Sequence, residues 1–439
     1  MREFLKKTIV ALLLWEARVV VKKYKPHIIA ITGSVGKTST KDAIYAVVSR
    51  GAHVRKSQKS FNSEIGVPLT ILGVENGWSN PLKWMQNLVD GLFLIIFNAK
   101  YPEWLVLEVG ADRPGDIKSL AAWLPVDIAV ITRLPDVPVH VEFFESPEAV
   151  AEEKASLIKA LKPAGTLILY GDDERTASLA LRAEGRNVIF YGMKPEAFVH
   201  AEHMLPMFDA EGYPEGMSAQ IVVGESTAPI EIKGTVGSHA LLAVMGGVAV
   251  GSVFKKTVDE MVATLKTYDP PPGRMRLLRG IKETLLIDDT YNSSPAAVSA
   301  ALDALHFVGP HFAHARHKRG RRIAVLGDML ELGRHSVDEH RKLGAIVAKN
   351  ATLLLTIGFR ARDIATGALE HHMKEGAMLQ YDDAEKAGQE LSQLIRPGDT
   401  ILIKGSQGMR MEKIVKLLMA NPERASDLLV RQDEEWRNR

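Results

Sequence analysis

The residues best suited to chemistry form a short glycine loop between a strand-like run and a helix-forming segment. Residues 28–40 have the sequence Ile-Ile-Ala-Ile-Thr-Gly-Ser-Val-Gly-Lys-Thr-Ser-Thr. Gly33 and Gly36 let the backbone approach a phosphate, and the free N–H groups of a helix start would point at it. Lys37 would add a positive charge and Thr38 a hydroxyl for Mg²⁺. The segment therefore predicts binding of ATP or a related nucleotide, with a chance glycine-rich turn as the alternative.

Three further residues have side chains that suit metal or phosphate chemistry. Glu108 ends the apolar run Leu-Val-Leu-Glu, and a carboxylate at the carboxyl end of a strand beside a phosphate loop is placed to hold Mg²⁺. His140 follows the strand-like run that ends at Thr132, although a lone loop histidine is more often structural. Lys154 lies in a helix-forming segment, where a solvated surface lysine is the ordinary interpretation.

Length and composition limit the class of protein. A chain of 439 residues is too long for one ordinary core, so we expect two or three domains. The net charge of only +2 gives no argument for a nucleic-acid partner. The absence of cysteine excludes disulfides, thiolate nucleophiles and cysteine-ligated zinc, and is compatible with a reducing cytoplasmic location.

The N-terminus is unusually apolar. Residues 8–15 are uncharged and are flanked by lysines, but the run is far shorter than the ~20 residues that a spanning helix needs. We expect an amphipathic helix that either packs on the body of the protein or lies on an anionic membrane surface. A second apolar run, Leu88–Phe97, could join it in one apolar face.

Strand-like runs alternate with helical patterns along the chain, which predicts an α/β fold. The first set includes residues 27–32, 104–108, 128–132 and 166–170, and predicts a mostly parallel sheet in a central P-loop domain. Residues 270–273, Pro-Pro-Pro-Gly, form the strongest linker signal. A second set, 285–288, 322–326, 352–357 and 400–404, predicts a smaller Rossmann-like α/β domain. The predicted divisions are 1–24, 25–269 and 270–439.

We interpret the His- and Arg-rich segment 306–322 as a solvated basic loop, with metal binding as the alternative.

Several motifs occur together in a fixed order, and their combination is far more specific than any one of them. They lie at 32–39, 61–70, 108–111, 140–144, 154, 272–275, 288–295, 326–333 and 404–412. In this order the chain resembles the Mur ligase superfamily over about residues 25–420. The resemblance is closest to the branch that adds D-alanyl-D-alanine to UDP-N-acetylmuramoyl-tripeptide.

The resemblance implies an ATP-dependent ligase of cell-wall peptidoglycan synthesis. In this superfamily a substrate carboxylate attacks the γ-phosphate, and an amine then displaces phosphate from the acyl phosphate. The implied partners are small molecules, and the implied cofactors are ATP, two Mg²⁺ ions and a carbamylated lysine. Lys37, Glu108, His140 and Lys154 would be catalytic.

The resemblance also assigns binding roles to individual residues. Metal ligands would be Thr38, Glu108, His140 and Lys154 as its carbamate. Nucleotide contacts would come from Gly33, Ser34, Val35, Gly36, Lys37, Thr38, Ser39, Arg274 and Asp289. Substrate contacts would come from Asn62, Asn292 and Lys404.

Two departures from the family pattern leave alternatives open. Members usually have a domain of roughly 80 residues or more before the glycine loop, which binds the UDP end of the substrate, whereas about 30 residues precede it here. The family often has Gly-x-His-Asn where this chain has Gly237-Ser238-His239-Ala240, so adenine recognition is not predicted. The acceptor could therefore be lipid-linked or not a muropeptide. A non-catalytic nucleotide-binding scaffold is the alternative from another class.

Overall fold

The strands form two sheets that follow one another along the chain. The computed structural model describes residues 2–58, 64–78, 80–316, 320–433 and 436. Within them the first sheet contains β1 His27–Thr32, β2 Val54–Lys56, β3 Trp104–Glu108, β4 Val126–Ile131, β5 Leu161–Tyr170, β6 Asn187–Gly192, β7 Val199–Phe208, β8 Pro214–Val223 and β9 Ser226–Lys233. The second contains β10 Arg276–Gly280, β11 Thr284–Asp289, β12 Arg322–Gly327, β13 Leu353–Ile357, β14 Met378–Tyr381 and β15 Thr400–Lys404.

Helices cover both sheets. The helices that accompany the first sheet are α1 Arg2–Tyr24, α2 Lys37–Val48, α3 Gly66–Leu72, α4 Pro81–Ile96, α5 Asp116–Ala121, α6 Pro147–Ala155, α7 Glu174–Ala177, α8 Ser238–Val253 and α9 Val258–Leu265. Those of the second are α10 Pro295–Arg316, α11 Ser336–Asn350, α12 Arg362–Glu370, α13 Ala384–Leu394, α14 Glu412–Leu418 and α15 Ala425–Leu428.

The first sheet has the order β2-β3-β1-β4-β5-β6-β7-β8-β9 and is parallel from β2 to β7. Its central strands are mostly apolar because helices cover both of their faces. In β1, Ile29 and Ile31 join the core under α2 and α8, whereas Ile28 and Ala30 join the opposite core with α1 and α3. Strands β7, β8 and β9 continue the sheet as antiparallel hairpins.

The second sheet has the order β10-β11-β15-β12-β13-β14, and only β10 is antiparallel to its neighbour. A core of α10, α11 and α12 covers one face, and α13 and α14 cover the other. The predicted α/β fold, with a larger mostly parallel sheet and a smaller second one, is confirmed. The division points at residues 24 and 269 stay predictions.

The order of the first sheet creates a crevice at the carboxyl end of β1. From β1 the chain crosses to β2 and β3 on one side, and from β3 it returns past β1 to β4 on the other side, so the direction of strand addition reverses at β1. Ligands of open α/β sheets bind in the crevice at such a switch point. The glycine loop follows β1 directly, and Glu108 at the end of β3 pairs in register with Ile31.

Two features of the helices bear on the predictions. Residues 306–316 continue helix α10 around Pro310, so interpreting this part of the basic segment as a loop was wrong; residues 317–319 lie outside the described ranges. Helix α1 packs against α4 and the core beneath it, with Leu13, Ala17 and Val20 buried. Among the described residues, no helix combines the length and apolarity required to cross a membrane.

Candidate active site

The glycine loop is held in a conformation that its sequence requires. Gly33 has φ 138° and Gly36 has φ 84°, values that residues with a side chain rarely adopt. A Cβ on Gly33 would also lie 2.0 Å from Thr132 Oγ1 at the end of β4. Lys37 begins helix α2 and donates from Nζ to the Gly33 carbonyl oxygen at 2.9 Å. The bond between Lys37 and the Gly33 carbonyl oxygen therefore closes the loop into a compact form.

A carboxylate and a hydroxyl meet beside this loop. Thr38 Oγ1 donates to Glu108 Oε1 at 3.2 Å, and both side chains are buried. The Glu108 backbone N–H donates to Ser57 Oγ at 3.1 Å, which fixes the end of β3. Burial lowers the pKa of Lys37, and the Glu108 carboxylate opposes that shift. Thr38 and Glu108 are thus brought together although 70 residues separate them in the chain.

The second sheet contributes residues to the same place. Arg274 Nη2 donates to Thr38 Oγ1 at 2.9 Å, and its guanidinium lies 4.1 Å from the ring centre of Tyr291. Lys404 Nζ lies 2.7 Å from Asp289 Oδ2 and donates to the Asn292 carbonyl oxygen at 2.8 Å. These groups lie at the carboxyl ends of β11 and β15, two adjacent parallel strands.

The two sets of residues line one cleft of about 600 Å³. Of the predicted site residues, those that line it are Ser34, Val35, Gly36, Lys37, Thr38, Ser39, Glu108, His140, Arg274, Asp289, Asn292 and Lys404. Gly33 and Lys154 do not line the cleft, although the charges of Lys37 and Asp112, which do, act on Lys154. Asn62 lies outside the described residues.

His140 connects the two halves of the cleft. It adopts φ 70°, an uncommon conformation for a residue with a side chain. Its Nδ1 lies 2.6 Å from Glu331 Oε2 of the second half, and its Nε2 lies 3.6 Å from Asp112 Oδ1. The close contact with His140 holds the pKa of Glu331 below its ordinary value. Glu331 has φ 63°, so both partners have strained backbones, as is common at functional sites.

Lys154 is buried, so the ordinary interpretation of a solvated surface lysine was wrong. Its side chain is 2 % exposed on helix α6, and its Nζ has no hydrogen bond or ion pair to any residue that the structure describes. Burial, together with the positive charge of Lys37, lowers the pKa of Lys154 to about 7. A large part of this amine is therefore neutral near pH 7.

Three Asp, Glu or His side chains that line the cleft had no predicted role in the site. Asp112 follows β3 four residues after Glu108, and its position near a strand end was the available signal. Glu331 approaches His140 across 191 positions of sequence, which no local pattern indicates. His239 was singled out only as a departure from the family pattern. Its Nε2 is buried and has no hydrogen-bond partner within the described ranges, and desolvation lowers the pKa of the ring to about 4.

The donor set fits Mg²⁺ better than a transition metal. Glu108 and Thr38 offer hard oxygen donors, and His140 with Asp112 offers a second pair nearby. No group of three or more metal-binding His, Asp or Glu side chains occurs in the described part of the chain. Mg²⁺ usually relies on one or two carboxylates together with water and substrate phosphates, so a sparse protein shell is what this ion requires.

A glycine loop between a parallel strand and a helix, facing a cleft that a second α/β sheet helps to form, defines a two-part P-loop protein. Residues 31–251 match the Mur ligase middle domain, and residues 273–407 match the glutamate ligase domain of Mur ligases. The chain belongs to the Mur ligase family, and the resemblance predicted from its motifs is confirmed.

Named relatives support a particular branch of this family. The UDP-N-acetylmuramoyl-tripeptide–D-alanyl-D-alanine ligase of Bacillus subtilis is 30% identical over 407 residues, which are 92% of this chain and 79% of that protein. The MurF ligase of Thermotoga maritima, solved in complex with ADP, has a TM-score of 0.73 and 27% identity over 93% of this chain and 83% of that one. MurF from Acinetobacter baumannii shares the fold with a TM-score of 0.74 at 22% identity, covering 93% and 80% of the two chains.

Proposed function

We propose that this protein is an ATP-dependent ligase that joins D-alanyl-D-alanine to a muramoyl tripeptide in peptidoglycan precursor synthesis. The observation that carries the proposal is the shared cleft, in which the glycine loop with Lys37 faces Arg274 and the Asp289–Lys404 pair. The relatives named for this reaction support the choice of substrates. Because the reaction consumes ATP, we also propose a cytoplasmic location.

The glycine loop would bind the β- and γ-phosphates of ATP. The amides from Gly33 to Ser39 lie at the start of helix α2, where backbone N–H groups have no partner within the helix. Lys37 Nζ, now bound to the Gly33 carbonyl oxygen, would turn to a phosphate oxygen of the nucleotide. Arg274 would approach from the opposite wall and neutralise charge on the same phosphates. Asp289 would contact the nucleotide from the second half of the cleft.

Thr38 and Glu108 would hold one Mg²⁺, and His140 would hold a second together with the modified Lys154. When bound, Mg²⁺ withdraws charge from the phosphate oxygens and so favours attack at phosphorus. The Arg274–Thr38 hydrogen bond would have to open for this purpose, since one hydroxyl oxygen cannot serve both groups well.

Lys154 is suited to become a carbamate. Its neutral amine nitrogen attacks the carbon of CO₂, an N–C bond forms, and a proton leaves to solvent. Burial supports this step because it keeps much of the amine neutral near pH 7. The product is an anion in place of a cation, which suits a position beside Lys37 and a metal-bound triphosphate.

The proposed reaction has two steps. An oxygen of the acceptor carboxylate attacks the γ-phosphorus and ADP leaves, which gives an acyl phosphate. The amine of D-alanyl-D-alanine then attacks the acyl carbon, phosphate leaves, and the amine proton passes to a base or to solvent. Asn292 and Lys404, at the second wall, together with Asn62, would position these substrates. Approach of the two walls would exclude water from the acyl phosphate.

The proposal is tested by measuring phosphate release with each substrate omitted in turn. We expect release only when ATP, Mg²⁺, UDP-N-acetylmuramoyl-tripeptide and D-alanyl-D-alanine are all present. Phosphate release with a lipid-linked muropeptide but not with the UDP-linked one would support the same reaction with a lipid-linked acceptor. Binding of ATP without release under any of these combinations would favour the scaffold alternative and contradict the proposal.

A further inference from the structure

One apolar face of helix α4 packs against helix α1. Gly91 packs so closely against α1 that a Cβ there would lie 2.1 Å from Glu16 Oε2. Lys23 of α1 donates from Nζ to the carbonyl oxygens of Leu94, Ile95 and Phe97, at 3.0, 3.0 and 2.7 Å. The two apolar segments of the sequence therefore pack on each other, and the intramolecular alternative accounts for this inner face.

The opposite face of α4 is also apolar, and it is exposed. Leu82 is 76% exposed, Ile96 69% and Phe93 53%. The spacing of three and four residues places the exposed side chains along one stripe of the helix. We call this stripe the outer face; its members are Leu82, Met85, Val89, Leu92, Phe93, Ile96 and Phe97.

An ordinary surface helix has charged residues where α4 has the outer face. Within Pro81–Ile96 the charged side chains are Lys83 and Asp90, which lie at the border of the stripe. Trp78, next to the start of the helix, is 45% exposed and accepts a hydrogen bond from Trp84 through its carbonyl oxygen. Partly exposed tryptophans of this kind are enriched where protein meets the lipid headgroup region.

The surroundings of the outer face carry positive charge at one end. The contacts of Lys23 bring the end of α1 beside the end of α4. The two segments that meet there, residues 17–27 and 91–102, contain no Asp or Glu, and the acids that directly flank them are Glu16, Asp90 and Glu103. Their basic residues are Arg18, Lys22, Lys23, Lys25 and Lys100. Arg18, Lys22 and Lys25 line a pocket with Lys162 at this end of α1, and the Lys23 ammonium is bound to the α4 carbonyl oxygens. An apolar stripe with basic side chains beside one end matches a surface of anionic lipid, which offers hydrocarbon below negative headgroups.

We propose that the outer face of α4 docks this protein on the surface of an anionic membrane. The helix lies in the plane of the headgroups, with Phe93 and Ile96 inserted and the lysines at its end on the phosphates. No helix spans the bilayer in this arrangement. The proposal stands on the surface alone and does not depend on the ligase assignment.

Vesicle flotation with the full chain tests the proposal. We expect the protein to float with vesicles of phosphatidylcholine and phosphatidylglycerol, and to stay behind with phosphatidylcholine alone. Replacing Phe93 and Ile96 together by Ser should lower the bound fraction at least tenfold, because the inserted side chains are lost. Lys22→Glu with Lys25→Glu should do the same, and added salt should weaken binding of the unchanged chain.

Matched variants on the second half of the protein provide the control. Phe359 is 79% exposed and Lys374 is exposed, and both lie far along the chain from α4. Phe359→Ser with Lys374→Glu should float like the unchanged protein. Equal loss in this control, or absence of flotation with anionic vesicles, would overturn the proposal. If the Phe93 and Ile96 changes instead convert a dimer to a monomer in sedimentation, the outer face is a contact between two copies and the membrane proposal is wrong.

Discussion

Arg274 donates a 2.9 Å hydrogen bond to Thr38 Oγ1, and so the residue that follows the proline-rich segment touches the start of the phosphate-loop helix. The same hydroxyl donates to Glu108, which makes Thr38 the meeting point of the two walls of the cleft. Arg274 is held there by Tyr291 beneath its guanidinium. Nucleotide binding would replace the Arg274–Thr38 hydrogen bond by a contact between Arg274 and phosphate. Substrate binding would thereby change how the two sheets are held together.

Arg274→Ala should lower kcat/KM for ATP by about ten- to a hundredfold, because one charge-assisted contact to phosphate is lost. Steady-state kinetics at varied ATP measure the effect. Arg279→Ala is the matched control. Arg279 also joins the two parts of the protein, through Asp209 and Glu211, but it lies outside the cleft. An equal loss in both variants would mean that Arg274 acts only by holding the two parts together.

Lys37→Ala should lower kcat by about a thousandfold or more. Phosphoryl transfer depends on positioning and on charge at the γ-phosphate, and Lys37 supplies both at the centre of the loop. Turnover under saturating ATP is the appropriate measurement, with circular dichroism to confirm that the variant is folded. Near-normal turnover in a folded variant would contradict the role of the loop.

Lys154→Ala should be nearly inactive and should recover partly with formate, which returns a carboxylate to the empty space. In the unchanged protein, activity should fall after CO₂ is removed and return with bicarbonate. The recovery should be more complete as the pH rises through about 7, since the neutral amine is the form that reacts.

Lys159→Ala, a change at an exposed lysine on the same stretch of chain, is the control and should need neither formate nor bicarbonate. A mass increase of one CO₂ on the Lys154 peptide would be direct evidence of the modification. Full activity of Lys154→Ala without additives would exclude the carbamate.

Glu16→Gln should change the pH dependence of stability. Burial raises the pKa of Glu16 from 4.5 to about 7, so the folded chain binds more protons than the unfolded chain between these values. Stability of the unchanged protein should therefore fall as the pH rises from about 4.5 to 7. Relative to the unchanged protein, the free energy of unfolding of the variant should rise by on the order of 1 kcal/mol between pH 4 and pH 8. Urea unfolding at the two pH values measures it. Glu75→Gln, at an exposed position, should show no such gain.

The sequence predicted the parts of the fold that depend on local patterns. Strands β1, β3 and β15 have the predicted bounds, because continuous β-branched and apolar runs mark strands buried on both faces. The glycine loop was predicted for a similar reason, since residues other than glycine rarely adopt the backbone angles of Gly33 and Gly36. Most of the candidate lining residues followed from motifs placed at strand ends.

Long-range packing decided what could not be predicted. Helix α10 passes through Pro310 and the histidines beyond it, because its apolar face, with Leu305, Val308 and Phe312, is buried on the second sheet. The antiparallel strands β7, β8 and β9 were not singled out, since half-buried edge strands have a weaker pattern. Burial of Lys154 and the approach of Glu331 to His140 depend on elements far apart in the chain.

The central claim is that the acceptor carboxylate becomes an acyl phosphate, and oxygen transfer tests it most directly. The muramoyl tripeptide is prepared with ¹⁸O in its terminal carboxylate and is turned over with ATP and D-alanyl-D-alanine. Mass spectrometry of the released phosphate should show one ¹⁸O atom for each amide bond formed. Phosphate without the label, in the presence of ligated product, would mean that the carboxylate never attacked phosphorus, and would contradict the account.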